Sequence, residues 1–100
     1  MPKIFEYFGF VFYFYSNEHE PIHVHVIHNA CESIFDMIIS DGVLVEIKQR
    51  AKKGVDPLSA KDVKTAGKFI QTYADNIIRK WINFFVLKQQ VRSTTIKKKI

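Results

Sequence analysis

Two histidines one residue apart, in Ile22-His23-Val24-His25-Val26, are the residues of this chain best suited to chemistry. An imidazole titrates near pH 6.5, so it can donate or accept a proton at neutral pH. The β-branched neighbours favour a strand, and in a strand alternate side chains share a face. Ile22, Val24 and Val26 then face a core, and His23 and His25 point away from it together. Three chemistries fit such a pair. The two imidazoles would serve as acid and base in cleavage of an RNA phosphodiester. They would ligate one divalent metal ion, with Asp36, Glu32 or His28 completing the set. Or they would join Tyr13 and Tyr15 in a platform for stacked bases or for a partner protein. The bland reading, two histidines that only fill an exposed face, stands beside all three.

The elements that must position this pair follow from the hydrophobic pattern. A first strand is expected from Phe8 to Tyr15, with Phe8, Phe10, Phe12 and Phe14 on the core face and Tyr13 and Tyr15 on the other. Residues 16–21 form a polar loop, which sets Asn17, Glu18, His19 and Glu20 at the edge of the His face. The second strand is Ile22 to His28 and the third Glu32 to Ile39. A short Asn29-Ala30 turn would pair Val24 with Phe35 and His23 with Asp36, so that apolar meets apolar and polar meets polar. That gathers Tyr13, Tyr15, His23, His25, Glu32 and Asp36 on one open face, where a carboxylate opposite a histidine fixes its tautomer. The fourth strand runs from Val43 to Lys48. A three-residue turn, Ser40-Asp41-Gly42, places Met37 opposite Val45, whereas a two-residue turn would place it opposite Glu46.

Beyond a basic loop, Gln49 to Leu58, Ser59 with Asp62 marks a helix start. The stripe Val63, Ala66, Ile70, Tyr73, Ile77, Trp81 and Phe84 or Phe85 keeps helical phase. It implies one long helix or a pair with a kink near Tyr73 to Asn76, and it places Trp81 in the core. The fold expected is α+β, a four-stranded antiparallel meander with the helix or helix pair across one face. Lys61, Lys64 and Lys68 make a helical row able to meet phosphates, a pattern that a solvated face also produces.

One hundred residues make one domain, taken as residues 1–90 with a basic tail at 91–100. The apolar share of 47% and charged share of 25% exclude a disordered body. The longest apolar run, Tyr7 to Tyr15, is about half of a membrane span, and Met1-Pro2-Lys3 opens no secretory signal pattern. A cytoplasmic protein with no membrane partner is expected. One cysteine, Cys31, excludes a disulfide framework within the chain. The net charge of +5 favours acidic partners. A Phe-rich first strand left as a bare edge would aggregate, which makes a homodimer one expected arrangement.

The run Gly9-Phe10-x-Phe12-x-Phe14-Tyr15-Ser16-Asn17-Glu18, continued by Glu20-Pro21-x-His23-Val24-His25-Val26, resembles the signature of a small bacterial family, the domain of unknown function numbered 4160. Leu58-Ser59 opening a helix and Trp81-x-x-Phe84-Phe85 near its end are similar to that family too. The resemblance covers about residues 4 to 86 and leaves out the basic tail after Gln90. It implies a small stand-alone protein of uncharacterised activity, whose gene often lies beside that of a second small protein, as in toxin and antitoxin pairs. The family's hallmark strand falls on His23 and His25. The leading expectation is a component of such a two-protein module, engaging RNA or its partner through the His face. It would work without a cofactor, as a ribonuclease in which His23 and His25 act with Asp36 and Tyr15. In the alternatives the chain is a divalent-metal protein with His23, His25 and Asp36 as ligands, or a pure interaction module. Tyr13, Tyr15, Asn17, Lys61, Lys64 and Lys68 are the expected contacts to nucleic acid or partner.

Overall fold

The computed structural model describes residues 2–14 and 22–100. Six strands form one sheet: β1 (Lys3–Tyr7), β2 (Phe10–Tyr13), β3 (Ile22–His28), β4 (Cys31–Ser40), β5 (Val43–Ala51) and β6 (Thr94–Ile96). Their order is β5-β4-β3-β2-β1-β6. The first five pair antiparallel with their sequence neighbours, and β6 adds parallel to β1. Helices α1 (Ala60–Thr72) and α2 (Ala74–Trp81) lie between β5 and β6 in the chain. The α+β class agrees with the hydrophobic pattern, and the strand count is six rather than four. Among the described residues no helix is long and apolar enough to cross a membrane.

The first extra strand comes from the N-terminus. The apolar run expected as a single strand from Phe8 is instead a hairpin. Phe8 and Gly9 both take positive φ, 43° and 86°, the mirror-image turn whose twist matches that of antiparallel strands. Phe8 is thereby turned out to 47% exposure, off the core face assigned to it. Phe5 then pairs with Phe12 and Tyr7 with Phe10, so both strands contribute rings to one face. The other extra strand, Thr94–Ile96, lies within the segment expected as a tail. Lys80 holds the approach to it, donating from Nζ to the Arg92 carbonyl at 2.6 Å and to Thr94 Oγ1 at 3.1 Å. Burial lowers the pKa of that ammonium, and its charge also lies 4.8 Å from the Phe5 ring.

The β3–β4 hairpin turns at Asn29-Ala30 and pairs His23 with Asp36 and Val24 with Phe35, as the alternation required. The next hairpin corrects the turn-length expectation. Ser40 pairs with Val43, so the turn is the two-residue Asp41-Gly42, with φ of 51° and 78°. The clash foreseen for that turn, Met37 opposite Glu46, does not arise, because the register shifts between Ile38 and Ile39 and brings Met37 opposite Ile47. A β-bulge supplies the extra residue that turn length alone would have needed.

The core lies between the sheet and the helices. Phe10, Phe12, Phe14, Val24, Val26, Phe35 and Met37 line the sheet side. From α1, Phe69 stacks on Phe12 at 4.4 Å and meets Phe5 edge-on at 5.4 Å. Phe69 is fully buried although it lies outside the expected apolar stripe. Ser59 caps α1 by accepting from Asp62 N at 3.2 Å. The chain breaks helical geometry at Tyr73 (φ −107°, ψ 23°), inside the expected kink. Trp81 is buried, and after it the backbone widens into a π-helical segment, Ile82–Val86. Gly67 has an ordinary φ, and a methyl added there would meet nothing within 4 Å. Gly67→Ala is therefore expected to raise stability by about 1 kcal/mol, read as a higher denaturant midpoint with an unchanged slope.

Candidate functional site

On the sheet face away from the helices, β2, β3, β4 and β5 contribute alternate side chains. Tyr13 pairs with His25, His25 with Ile34 and Ile34 with Arg50; beside them, His23 pairs with Asp36 and Asp36 with Lys48. Because each strand keeps its alternation here, all these side chains leave one surface. They sort into two clusters of different character.

The first is centred on Asp36. His23 Nδ1 donates to Asp36 Oδ1, a close contact. Arg50 Nε donates to Asp36 Oδ2 at 2.9 Å, and a second guanidinium nitrogen reaches Oδ1 at 3.3 Å. This two-pronged clamp fixes the carboxylate plane, and the carboxylate in turn fixes the imidazole tautomer. The His23 and Asp36 side chains each keep 15% exposure, and that of Arg50 keeps 50%. Burial alone would raise the Asp36 pKa, but the hydrogen bonds and charges of Arg50 and His23 outweigh it and hold the carboxyl below its ordinary 3.8. A carboxylate depressed in the folded state stabilises the fold above its ordinary pKa, and that contribution is lost as the pH falls through the lower folded value. Asp36→Asn is accordingly expected to flatten the fall of stability below about pH 4, measured by denaturant melts across the acid range.

The second cluster is centred on Glu32. Its Oε2 accepts from Tyr13 OH at 2.6 Å, His25 Nδ1 at 3.3 Å and Lys52 Nζ at 3.2 Å. The Tyr13 ring stacks on His25 at 5.5 Å. Tyr13, His25, Glu32 and Ile34 are all buried, His25 to 2% exposure. Burial first, and then the hydrogen bond and charge of Glu32, push the Tyr13 pKa far above its ordinary value, so the phenol stays a donor. The expectation of an open face is thus corrected for this half. Aromatic stacking and a shared carboxylate hold Tyr13, His25 and Glu32 together, and Ile34 is buried on the same face.

Two partners, Arg50 and Lys52, lie beyond the expected end of the fourth strand at Lys48, in the segment expected as a loop. With β5 extended to Ala51, Lys48 and Arg50 fall on the site face, and Lys52 follows in the same row. The signal available was the alternation Glu46, Lys48, Arg50, Lys52, which continues the strand period. His28 lies on the other face, where it stacks on Phe10 at 4.0 Å and donates from Nδ1 to Asp62 at 2.9 Å, linking sheet to α1. Lys61, Lys64 and Lys68 are exposed on α1, on the helix side of the sheet and apart from the His face. Tyr15 and Asn17, with Glu18, His19 and Glu20, lie outside the described residues.

The arrangement can do acid–base chemistry at His23. His23 Nδ1 is engaged by one side of the Asp36 carboxylate, and Arg50 brings positive charge to the other. As metal ligands the two histidines are divided, since each gives Nδ1 to a different carboxylate. Among the described residues no three His, Cys, Asp or Glu side chains group as a metal site.

Comparison with the curated proteins and with the solved structures finds no match. The model of the family described as Domain of unknown function (DUF4160) matches residues 9–82. That span runs from the first turn through β2 to β5 and both helices, and holds every residue of the two clusters, so the chain belongs to the DUF4160 family.

Proposed function

We propose that this chain is one component of a two-protein module of the toxin–antitoxin kind, and that its His23 face engages RNA, with His23 as the proton-transfer group. The observation that carries this reading is the His23–Asp36–Arg50 line. An imidazole held by a carboxylate is the arrangement by which general bases are oriented. Here it stands at the surface of a chain with net charge +5, and a polyanion is the partner such a charge favours. His25 has a supporting role in this reading, because its side chain is buried against Glu32 and Tyr13. The small partner protein from the neighbouring gene would regulate the module by covering the His23 face.

Growth of a bacterial host on induced expression tests the proposal. Wild type is expected to arrest growth with loss of RNA integrity, and His23→Ala at matched soluble level is expected to leave growth unaffected. Arrest by both proteins, or intact RNA during the arrest, would contradict it.

A further inference from the structure

The Phe-rich edge expected to need a cover has one, because β6 pairs along β1. The bare edge is the other. β5 ends the strand order, and among the described residues no strand lies on its outer side. It is nine residues long, and such an edge offers a row of backbone donors and acceptors to any strand that comes beside it. Val43 and Val45 on it are 62% and 60% exposed. Ile47 is half-buried on the helix side, where open clefts of about 650 Å³ and 550 Å³ flank it. The two clefts share Ile47 and Gln71 as lining, so α1 covers this edge incompletely.

Charge says which strand fits. Glu46 and Lys48 are both exposed and share the face of Asp36. Neither forms an ion pair among the described residues. Directly opposed side chains of an antiparallel pair lie on one face. Two copies of β5 related by a two-fold axis normal to the sheet are therefore centred on a single residue. Centred on Glu46 or on Lys48, that charge meets its own copy. Centred on Gln49, Lys48 meets Arg50. Centred on Ile47, the two Ile47 side chains meet, and Glu46 of each copy lies opposite Lys48 of the other, a match made twice.

We propose that β5 is a self-association edge, through which two copies of this chain form an antiparallel dimer centred on Ile47. The two sheets become one, and both His23 faces lie on the same side of it. The inference is independent of the RNA reading, because it is read as mass and not as cleavage. The bulge between Ile38 and Ile39 disturbs β5 near Val45. Bulges also serve to keep edges apart, and a folded monomer is what such a guard would leave.

Sedimentation equilibrium of the full chain decides between them. The wild-type mass is expected to rise with concentration from 11.7 kDa toward twice that value. Glu46→Lys and Lys48→Glu each set like charges opposite one another twice, and each is expected to weaken the dimer about tenfold or more. An equimolar mixture of the two variants restores opposite charges across the seam and is expected to recover association. Both positions are exposed, and circular dichroism checks that each variant is folded. Folded wild type that stays at 11.7 kDa at its highest soluble concentration would overturn the proposal and leave the edge to another protein's strand. A dimer indifferent to both reversals, or a mixture that associates no better than its components, would overturn it as well.

Discussion

Replacing Glu32 by alanine is expected to destabilise the fold by about 3–5 kcal/mol, a loss typical of breaking a buried charged pair from one side. The reason is the geometry at Oε2, where a phenol, an imidazole and an ammonium converge on one oxygen. Glu32 and His25 are nearly sealed from water, with side-chain exposures of 8% and 3%. Removing the carboxylate strips a shared acceptor from three donors in a place where solvent replaces it poorly. The same change opens a void beside the Tyr13–His25 stack. Glu32→Gln keeps the volume and an acceptor oxygen for Tyr13 OH, so it is expected to lose less than Glu32→Ala. Denaturant midpoints of the two variants and the wild type give the order directly. Equal stability of Glu32→Ala and wild type would show that the cluster contributes nothing to folding.

The second large effect falls on activity. On the proposed RNA reading, His23→Ala is expected to lower cleavage by about 10²–10⁴-fold, the usual contribution of a positioned general acid or base, with little change in stability. The His23 side chain is more exposed than that of His25, 15% against 3%, and its ring bonds Asp36 rather than joining the Glu32 cluster. Asp36→Asn keeps the shape but no longer holds an imidazolium by charge. It is expected to give an intermediate loss and to shift the pH–rate profile, a change that a purely structural role would not produce. Arg50 acts through Asp36, so Arg50→Lys, which cannot reproduce the two-pronged clamp, is expected to weaken activity less than Asp36→Asn.

Strand alternation made the site face legible before any coordinates. The pairing of His23 with Asp36 needed only the Asn29-Ala30 turn and the demand that Phe35 meet Val24. The Ser59 cap and the break at Tyr73 were equally visible, because capping and phase are local signals. Failures came where a local pattern had two solutions. The nine-residue aromatic run could be one strand or a turn between two, and only the pairing of Phe5 with Phe12 decides. Parity argues against the Asp41-Gly42 turn, and a bulge one pair further along restores that parity without leaving a mark in residue type. β6 depends on a parallel contact with β1 that spans most of the chain, and a three-residue strand carries no period of its own.

The burial of His25 was invisible for a different reason. Alternation assigns a side chain to a face and says nothing of what accumulates there. Tyr13, His25, Glu32 and Ile34 are all buried in that half of the face, while Arg50 stays half-exposed in the other. His-x-His therefore reads as a symmetrical pair in sequence and is an unsymmetrical one in the fold.

That division of labour is the central claim, and purified protein tests it in one assay. Wild type, His23→Ala and His25→Ala are incubated with single-stranded RNA below the melting range of all three, and initial cleavage rates are compared with denaturant midpoints. The expected result is cleavage by wild type, loss of cleavage with a near-normal midpoint for His23→Ala, and a lowered midpoint with residual cleavage for His25→Ala. Cleavage by His23→Ala at the wild-type rate, or none by the folded wild type, would contradict it.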